Sequence, residues 1–200
     1  MKFDDETIQG FKKIISDGLA YGVFLYPNSF KKEIDGNHIA IHLFQKPPHM
    51  QVTTLKLLKH YTSNAGVKSV IGFSENDQAL IAIATQAAYD LNLPFYSYDL
   101  ENDPGADSQF VRPEVVPCSL ILPYSITESQ VLEIVEKFQQ QKIPIKQVIV
   151  LVEEKPLQTK FSGKDFEYCI ISDWNTIKNR IQQFQNLTQE RMTQMMTLFQ

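Results

Sequence analysis

The sequence predicts an α/β protein with a parallel sheet that is covered on both faces. Residues 118–122 and 146–152 are almost continuously apolar, without the alternating polar residues of a sheet that faces solvent on one side. A predicted helix over residues 127–140 separates these two strands, as in a β-α-β unit. The chain of 200 residues, with 43% hydrophobic and 21% charged residues, fits one globular domain and excludes disordered and fibrous proteins.

The N-terminal part of the chain is predicted to begin with a helix and to continue as a hairpin. Ile8, Phe11 and Ile15 recur at the three- and four-residue spacing of an amphipathic helix. Short apolar segments, separated by Pro-Asn and Asp-Gly turn residues, then indicate strands. The predicted elements are a helix over 5–19, strands over 22–26 and 37–44 and, after two prolines, a helix over 50–63.

From residue 67 onward, strands and helices alternate regularly. The segment 77–91 is so apolar that a helix there must be buried on most sides. The stretch from residue 99 to residue 117 is irregular and acidic. The predicted strands are 67–73, 94–98, 118–122, 146–152 and 168–171, and the predicted helices are 77–91, 127–140 and a Gln-rich C-terminal helix that begins at Ser172-Asp173.

The C-terminal helix carries an apolar stripe that continues to the last residue through several methionines. Two interpretations are open: the stripe packs on the rest of the domain, or it is a surface for a partner or a second copy, where methionine suits adaptable contacts.

Charge and composition exclude several classes of function. The net charge of −4 argues against a nucleic-acid or membrane partner. No glycine-rich nucleotide-binding motif occurs, and only 8 residues are glycine. Cys118 and Cys169 lie in apolar segments without metal-ligand spacing, and His38 and His42 are too far apart on one strand to share a metal. This spacing of cysteines and histidines leads us to expect no bound metal. Because the first residues lack a signal-peptide pattern, we expect a cytoplasmic protein.

Ligands of open parallel sheets bind beyond the carboxyl ends of the strands, so the residues that follow the strands are the first candidates for a binding site. Tyr96, Tyr98 and Tyr124 would converge at this edge and form an apolar pocket with hydrogen-bonding hydroxyls. Glu153-Glu154 is either a site for a cation or hydroxylated ligand or an ordinary exit turn. Lys12-Lys13 is interpreted as surface charge.

The order of these elements resembles that of the type I phosphoribosyltransferases, most of all the orotate phosphoribosyltransferases. The resemblance runs over nearly the whole chain and includes the segments YGVFLYPNSF, VKSVIGFSENDQALIAIATQAAYDLNLPFYSYD and CSLILPYSITESQVLEIVEKFQQQKIPIKQVIVLVEE. It implies a Rossmann-like central parallel sheet with helices on both faces and a small hood built from the two termini. It further implies a single domain over 1–200 and a homodimer. Within that domain the core spans about 48–156, the N-terminal helix and hairpin 1–47, and the C-terminal strand and helix 165–200.

The chain departs from the family at the segment that would bind phosphoribosylpyrophosphate (PRPP). The family has two adjacent acids at the end of the central strand, followed by a glycine-containing loop, whereas this chain has Pro123-Tyr124 and then the segment 125–129. Proline lacks an N–H donor, and Thr127 with Gln130 matches a capping box that would occupy the helix N-terminus. The carboxylate of Glu128 would repel a phosphate.

The ends of the neighbouring strands also differ from the family pattern, and there too acidic residues replace glycine or basic residues. After the first of these strands the family has a small glycine-containing turn, whereas this chain has Ser74-Glu75-Asn76-Asp77. After the next strand the family has basic residues, whereas this chain has an acidic segment that starts at Asp99. No Lys or Arg occurs between Lys68 and Arg112. PRPP chemistry requires cations at the pyrophosphate oxygens. The residues predicted to form this altered binding edge are Pro123, Tyr124, Ser125, Thr127, Ser129, Ser74, Glu75, Asp77, Tyr98 and Asp99.

Three hypotheses follow from the sequence. The first is a relative of orotate phosphoribosyltransferase that has lost PRPP-dependent catalysis and acts as a binding or regulatory module, without catalytic residues or a cofactor, for a small-molecule or protein ligand. The second is a divergent active transferase of pyrimidine nucleotide synthesis that uses Mg²⁺. The third is an interaction protein that works through its C-terminal helix.

Overall fold

A computed structural model describes residues 2–25, 48–73, 78–98, 116–124, 127–153 and 161–198 of the protein. In chain order, its elements are α1 (Asp5–Leu25), α2 (Pro48–Ala65), β1 (Ser69–Phe73), α3 (Gln78–Asp90), β2 (Phe95–Tyr98), β3 (Cys118–Tyr124), α4 (Glu128–Gln140), β4 (Ile145–Glu153), β5 (Glu167–Asp173) and α5 (Trp174–Leu198).

The five strands form one sheet in the order β2-β1-β3-β4-β5, and every neighbouring pair is parallel. The register of the central pair places Ile121 opposite Ile149, and that of the next pair places Val150 opposite Ile170. The predicted α/β class with a parallel sheet is therefore confirmed.

Each face of the sheet packs against helices. Ile149 and Leu151 of β4 belong to a core with α1, α2, α3 and α5, whereas Val148 and Val150 belong to a second core with α4. These four side chains are fully buried, and burial of each aliphatic side chain contributes about 1.5–3 kcal/mol to stability. The burial of both faces explains why β3 and β4 lack polar alternation.

One prediction from the N-terminal part of the chain is wrong. Residues 22–25, predicted as the start of a strand, form the last turn of α1. A short apolar segment has no clear period, so the sequence pattern cannot separate a strand from a continuing helix. In the preceding turn, Leu19 and Ala20 are buried and Gly18 lies directly against the side chain of Met50 on α2, and α1 continues from there to Leu25. The predicted strand over 37–44 lies outside the described residues.

The strand β5 and the helix α5 join without a loop. Asp173 is the last residue of β5, and its Oδ1 accepts a hydrogen bond from the N–H of Thr176 at 2.8 Å. The hydroxyl of Thr176 also donates to Oδ2 at 2.6 Å. Asp173 therefore caps α5, which confirms the predicted helix start at Ser172-Asp173.

We expect the substitution Asp173→Ala to lower the free energy of unfolding by about 1 kcal/mol, because both bonds to Thr176 disappear. Urea unfolding of the full chain measures this change. Asp173→Asn is the matched control, since its side-chain oxygen can still accept from the N–H of Thr176. A loss as large in the Asn variant as in the Ala variant would contradict the capping role.

The N-terminus is held against α2 by His60. The N–H of Phe3 donates to Nδ1 of His60 at 3.1 Å, and the two rings stack with their centroids 5.6 Å apart. Burial lowers the pKa of His60, and the charge of the N-terminus and Lys2 lower it further, while Asp5 and Glu167 act in the opposite direction. A neutral imidazole is required, because a protonated Nδ1 cannot accept this hydrogen bond.

We expect the contact between His60 and Phe3 to weaken in acid. Because the pKa of His60 is lower in the folded protein than its ordinary value of 6.5, the unfolded chain takes up the proton first as the pH falls. The stabilisation is fully present above pH 6.5 and is lost as the pH falls below that value. His60→Asn, which keeps an acceptor near the position of Nδ1 but does not titrate, should lose less Tm between about pH 7.5 and about pH 5.5 than the wild type.

Thermal unfolding followed by circular dichroism measures this difference. The exposed His49 provides the matched control, and His49→Asn should keep the wild-type pH dependence. Identical pH dependence of the wild type and His60→Asn would refute the role of His60.

Candidate binding site at the carboxyl edge of the sheet

The carboxyl ends of all five strands meet at one edge of the sheet, because every strand pair is parallel. In the sheet, β1 has β2 on one side and β3 on the other, so the direction in which successive strands are added reverses between β1 and β3. In open α/β sheets, ligands bind beyond the strand ends at such a reversal. The candidate site is therefore formed by the ends of β1 and β3 and the start of α4.

The central strand β3 continues through Pro123 to Tyr124. Tyr124 is in register with Val152 of β4, so the backbone is still part of the sheet at this position. This is where the family resemblance would place two adjacent acids. Proline offers neither a carboxylate nor a backbone N–H to a ligand here.

The N-terminus of α4 is closed by its own residues. Oε1 of Gln130 accepts a hydrogen bond from the N–H of Thr127 at 3.2 Å, and the carbonyl oxygen of Thr127 accepts from the N–H of Gln130 at 3.1 Å. The Oγ1 of Thr127 lies 2.9 Å from Oγ of Ser129 and 3.2 Å from Oε1 of Gln130. Thr127 and Gln130 form a capping box, as the sequence predicts.

The first turn of α4 also carries a negative charge of its own. Glu128 is the first residue of the helix, where a carboxylate interacts favourably with the positive end of the helix dipole. A bound phosphate would compete with this carboxylate for the same field. The start of α4 is consequently less suited to an anion than a glycine-rich turn with free N–H groups.

Two acids lie side by side at the ends of β4 and β5. Glu153, the last residue of β4, is only 2% exposed and stands in register with Asp173. Next to them, the hydroxyls of Ser16 on α1 and Ser172 on β5 are 2.8 Å apart and form a buried hydrogen bond. Residue 154, the second acid of the predicted Glu153-Glu154 pair, lies outside the described residues.

Lys12 faces these acids, and its importance was missed from the sequence. Burial lowers the pKa of its ammonium group, while Cys169, Asp173 and Glu153 raise it. The interpretation of the pair as surface charge holds for the exposed Lys13 but not for Lys12, which is half-buried. Lys12 follows the buried Ile8 by four residues and precedes the buried Ser16 by four, on the inner stripe of α1. That spacing was the signal from which its burial could have been predicted.

The structure describes half of the predicted site residues. Pro123 and Tyr124 end β3, Tyr98 ends β2 opposite Phe73 of β1, and Thr127 and Ser129 lie at the start of α4. Half-buried Tyr96 packs against the core that contains α4. The remaining predicted site residues, Ser74, Glu75, Asp77, Asp99 and Ser125, lie outside the described residues.

Within the described ranges, no group of three or more His, Cys, Asp or Glu residues could hold a metal ion. The helices there also include none that is long and apolar enough to cross a membrane. Cys118 and Cys169 are both buried, and burial raises the pKa of each thiol, to about 12 for Cys169. Neither thiol is suited to act as a nucleophile.

The sequence matches no protein-family model and no curated protein, whereas the fold matches solved structures. Orotate phosphoribosyltransferase from Aeropyrum pernix is 14% identical and superposes with a TM-score of 0.54 over 70% of this chain and 81% of that chain. Adenine phosphoribosyltransferase from Leishmania tarentolae is 10% identical, with a TM-score of 0.53 over 70% of this chain and 78% of that one.

UMP synthase from Leishmania donovani is 12% identical and has a TM-score of 0.55 over 73% of this chain. The matched region covers 32% of that protein, so this chain spans about a third of its length. Orotate and adenine phosphoribosyltransferases thus share the architecture of the chain. At this level of identity the similarity concerns the fold, and the fold is that of the type I phosphoribosyltransferases.

Proposed function

We propose that this chain is a noncatalytic relative of orotate phosphoribosyltransferase that acts as a binding or regulatory module. The observation that carries the proposal is the junction of β3 and α4, where Pro123 and Tyr124 end the strand and a capping box closes the helix. The phosphoribosyltransferase fold of the chain supports the relationship.

Charge at this junction favours binding without PRPP turnover. PRPP carries a pyrophosphate that must be stabilised by cations as it leaves. Glu128 instead places a carboxylate at the start of α4, and no Lys or Arg occurs in the sequence between Lys68 and Arg112. In the absence of such cations, the transition-state charge would develop next to the carboxylate of Glu128.

The hydrogen bonds of the capping box also argue against phosphate binding at the start of α4. A phosphate that binds to the N-terminus of α4 would disturb the bonds between Thr127 and Gln130. The loss of an N-cap typically costs about 1 kcal/mol, which would be subtracted from the binding free energy of the phosphate.

The ligand that suits this edge is neutral or cationic. Tyr98 and Tyr124 end β2 and β3, and tyrosines offer an apolar ring with one hydrogen-bonding group. Such residues bind uncharged rings or cations better than pyrophosphates. The proposed module accordingly requires no cofactor, and Mg²⁺ would enter only if the chain were an active transferase after all.

In the variant Lys12→Gln/Lys13→Gln, which removes the lysines of a separate surface, we expect PRPP, orotate and orotidine monophosphate, with or without Mg²⁺, to give no saturable thermal shift in the micromolar range. A ligand present at about 100 times its Kd would stabilise the protein by about 2.7 kcal/mol, which is easily measured as a rise in Tm. Glu128→Gln is the matched variant: it removes the carboxylate but keeps the capping box, and it should also fail to bind at micromolar concentrations.

The active-transferase alternative makes the opposite prediction. Mg²⁺-dependent binding of PRPP at micromolar concentration, together with release of pyrophosphate in the presence of orotate, would refute the proposal. The assay should be repeated with Lys12→Gln/Lys13→Gln, so that binding of a phosphate elsewhere on the chain is not mistaken for binding at the junction.

A second candidate function is self-association through α1 and α5. Tyr21 on α1 and Leu187 on α5 are 52% and 54% exposed, although both are large and apolar. The Tyr21 ring contacts that of Phe184 in a T-shaped geometry with centroids 5.9 Å apart, so the two helices present one joint apolar surface. A second copy of the chain would cover this surface in a homodimer.

We expect the protein to be a dimer and the variant Tyr21→Ser/Leu187→Ser to be a monomer, because it removes the apolar contact. Size-exclusion chromatography with light scattering measures the mass of each. Tyr89→Ser/Val52→Ser, which removes two exposed apolar residues from α3 and α2, is the matched control and should remain a dimer. A monomeric wild type, or a dimer that survives Tyr21→Ser/Leu187→Ser, would eliminate this surface.

A further inference from the structure

A groove of about 390 Å³ lies beside the edge strand β5, between α1 and the first turns of α5. Its lining includes Lys12, Lys13 and Ser16 from α1, Ser172 and Asp173 from β5, and Thr176 and Arg180 from α5. Its volume is within the range of pockets that bind small molecules. It is separate from the junction of β3 and α4, because β4 lies between β3 and β5 in the sheet.

Most of the charges at this groove are already engaged within the protein. Arg180 forms an ion pair with Asp17, with 2.8 Å between Nε and Oδ1. The carboxylate of Asp173 accepts two hydrogen bonds from Thr176 and thereby satisfies the N-terminus of α5. The dipole of α5 is therefore not what would attract a ligand to the groove.

Lys12 and Lys13 are different, because among the described residues no carboxylate forms an ion pair with either ammonium group. Asp173 and Glu153 act on Lys12 only from beyond ion-pair distance. The Nζ of Lys12 lies 5.8 Å from the centroid of the Tyr61 ring, a contact that offsets only part of the lost hydration. Burial accordingly lowers the pKa of Lys12.

The serine hydroxyls of the groove are also engaged. The Ser16 and Ser172 hydroxyls pair with each other, and Ser16 is also bonded to the carbonyl oxygen of Lys12 at 2.9 Å. Among the described residues, no aromatic ring lines the groove, so they offer no surface on which a nucleobase could stack. Two lysines among the residues that line a small polar groove favour an anionic ligand, and a compact oxyanion fits its size.

We propose that this groove binds a small phosphorylated or polycarboxylate metabolite, whose oxyanion is held by Lys12 and Lys13. The ligand would supply an ion-pair partner for Lys12 and Lys13, because the nearby carboxylate of Asp173 is engaged by Thr176 and forms no ion pair with either lysine. This site is independent of the function proposed for the junction of β3 and α4.

Amide NMR titration of the full chain tests the proposal with inorganic phosphate and with citrate as separate probes. At constant ionic strength, with chloride as the reference anion, we expect saturable shifts at Lys13, Ser172 and Thr176. Lys12→Gln and Lys13→Gln should each weaken binding about tenfold or more, because each removes a charge-assisted contact. Lys68→Gln, just before β1 and therefore away from β5 in the sheet, is the control and should bind like the wild type.

The pH dependence provides a second readout. Binding should weaken with rising pH sooner than for an ordinary lysine, because the pKa of Lys12 is lowered, and Lys12→Gln should abolish that early loss. Lys12→Gln should still fold, since it removes a charge that burial disfavours. Its Tm is measured beside each titration, and unchanged affinity in the folded variant refutes the proposal.

The two probes also identify the ligand class. Binding of phosphate alone supports a phosphorylated ligand, binding of citrate alone supports a polycarboxylate, and binding of both supports a general oxyanion site. Shifts that fail to saturate, that appear equally with chloride, or that persist in both lysine variants overturn the proposal. Such a failure leaves the proposed function untouched, because neither probe contains the ribose or pyrophosphate of PRPP.

Discussion

The burial of β4 on both faces is the constraint on which the rest of the structure depends. Of its residues Ile145–Glu153, all but Lys146 are buried. A strand in this position requires helices above and below it and neighbouring strands on both sides. The chain meets this requirement with α4 on one face, four helices on the other, and β3 and β5 as neighbours.

A buried polar side chain at the start of β4 fixes how these elements meet. Gln147 is fully buried, and its Oε1 accepts a hydrogen bond from the hydroxyl of Ser119 on β3 at 3.0 Å. Its Nε2 donates to the carbonyl oxygen of Tyr61 on α2 and to the carboxylate of Glu167 on β5. Because an unsatisfied buried amide is costly, these bonds favour one register among the three strands and one position of α2.

The parts of this structure that sequence could predict are those with a local signal. β3 and β4 were predicted because both lack polar alternation, and the capping box was predicted because Thr127 and Gln130 stand at the required spacing. The last turn of α1 was predicted wrongly because a short apolar segment has no clear period and does not distinguish a strand from a continuing helix. The environment of Lys12 depends on Asp173 and Glu153, which are distant in the sequence.

The same topology explains why two places along one sheet edge differ in their preference for charge. At the start of α4, an acid and a capping box occupy the positive end of a helix, so an added anion meets a competitor. At the start of α5, Asp173 alone caps the helix. Lys12 and Lys13 of α1 line the groove beside it, and they form no ion pair with a described carboxylate. An anion that approaches this protein therefore loses hydration at either place, but only beside α1 does it find ammonium groups without an ion-pair partner among the described residues.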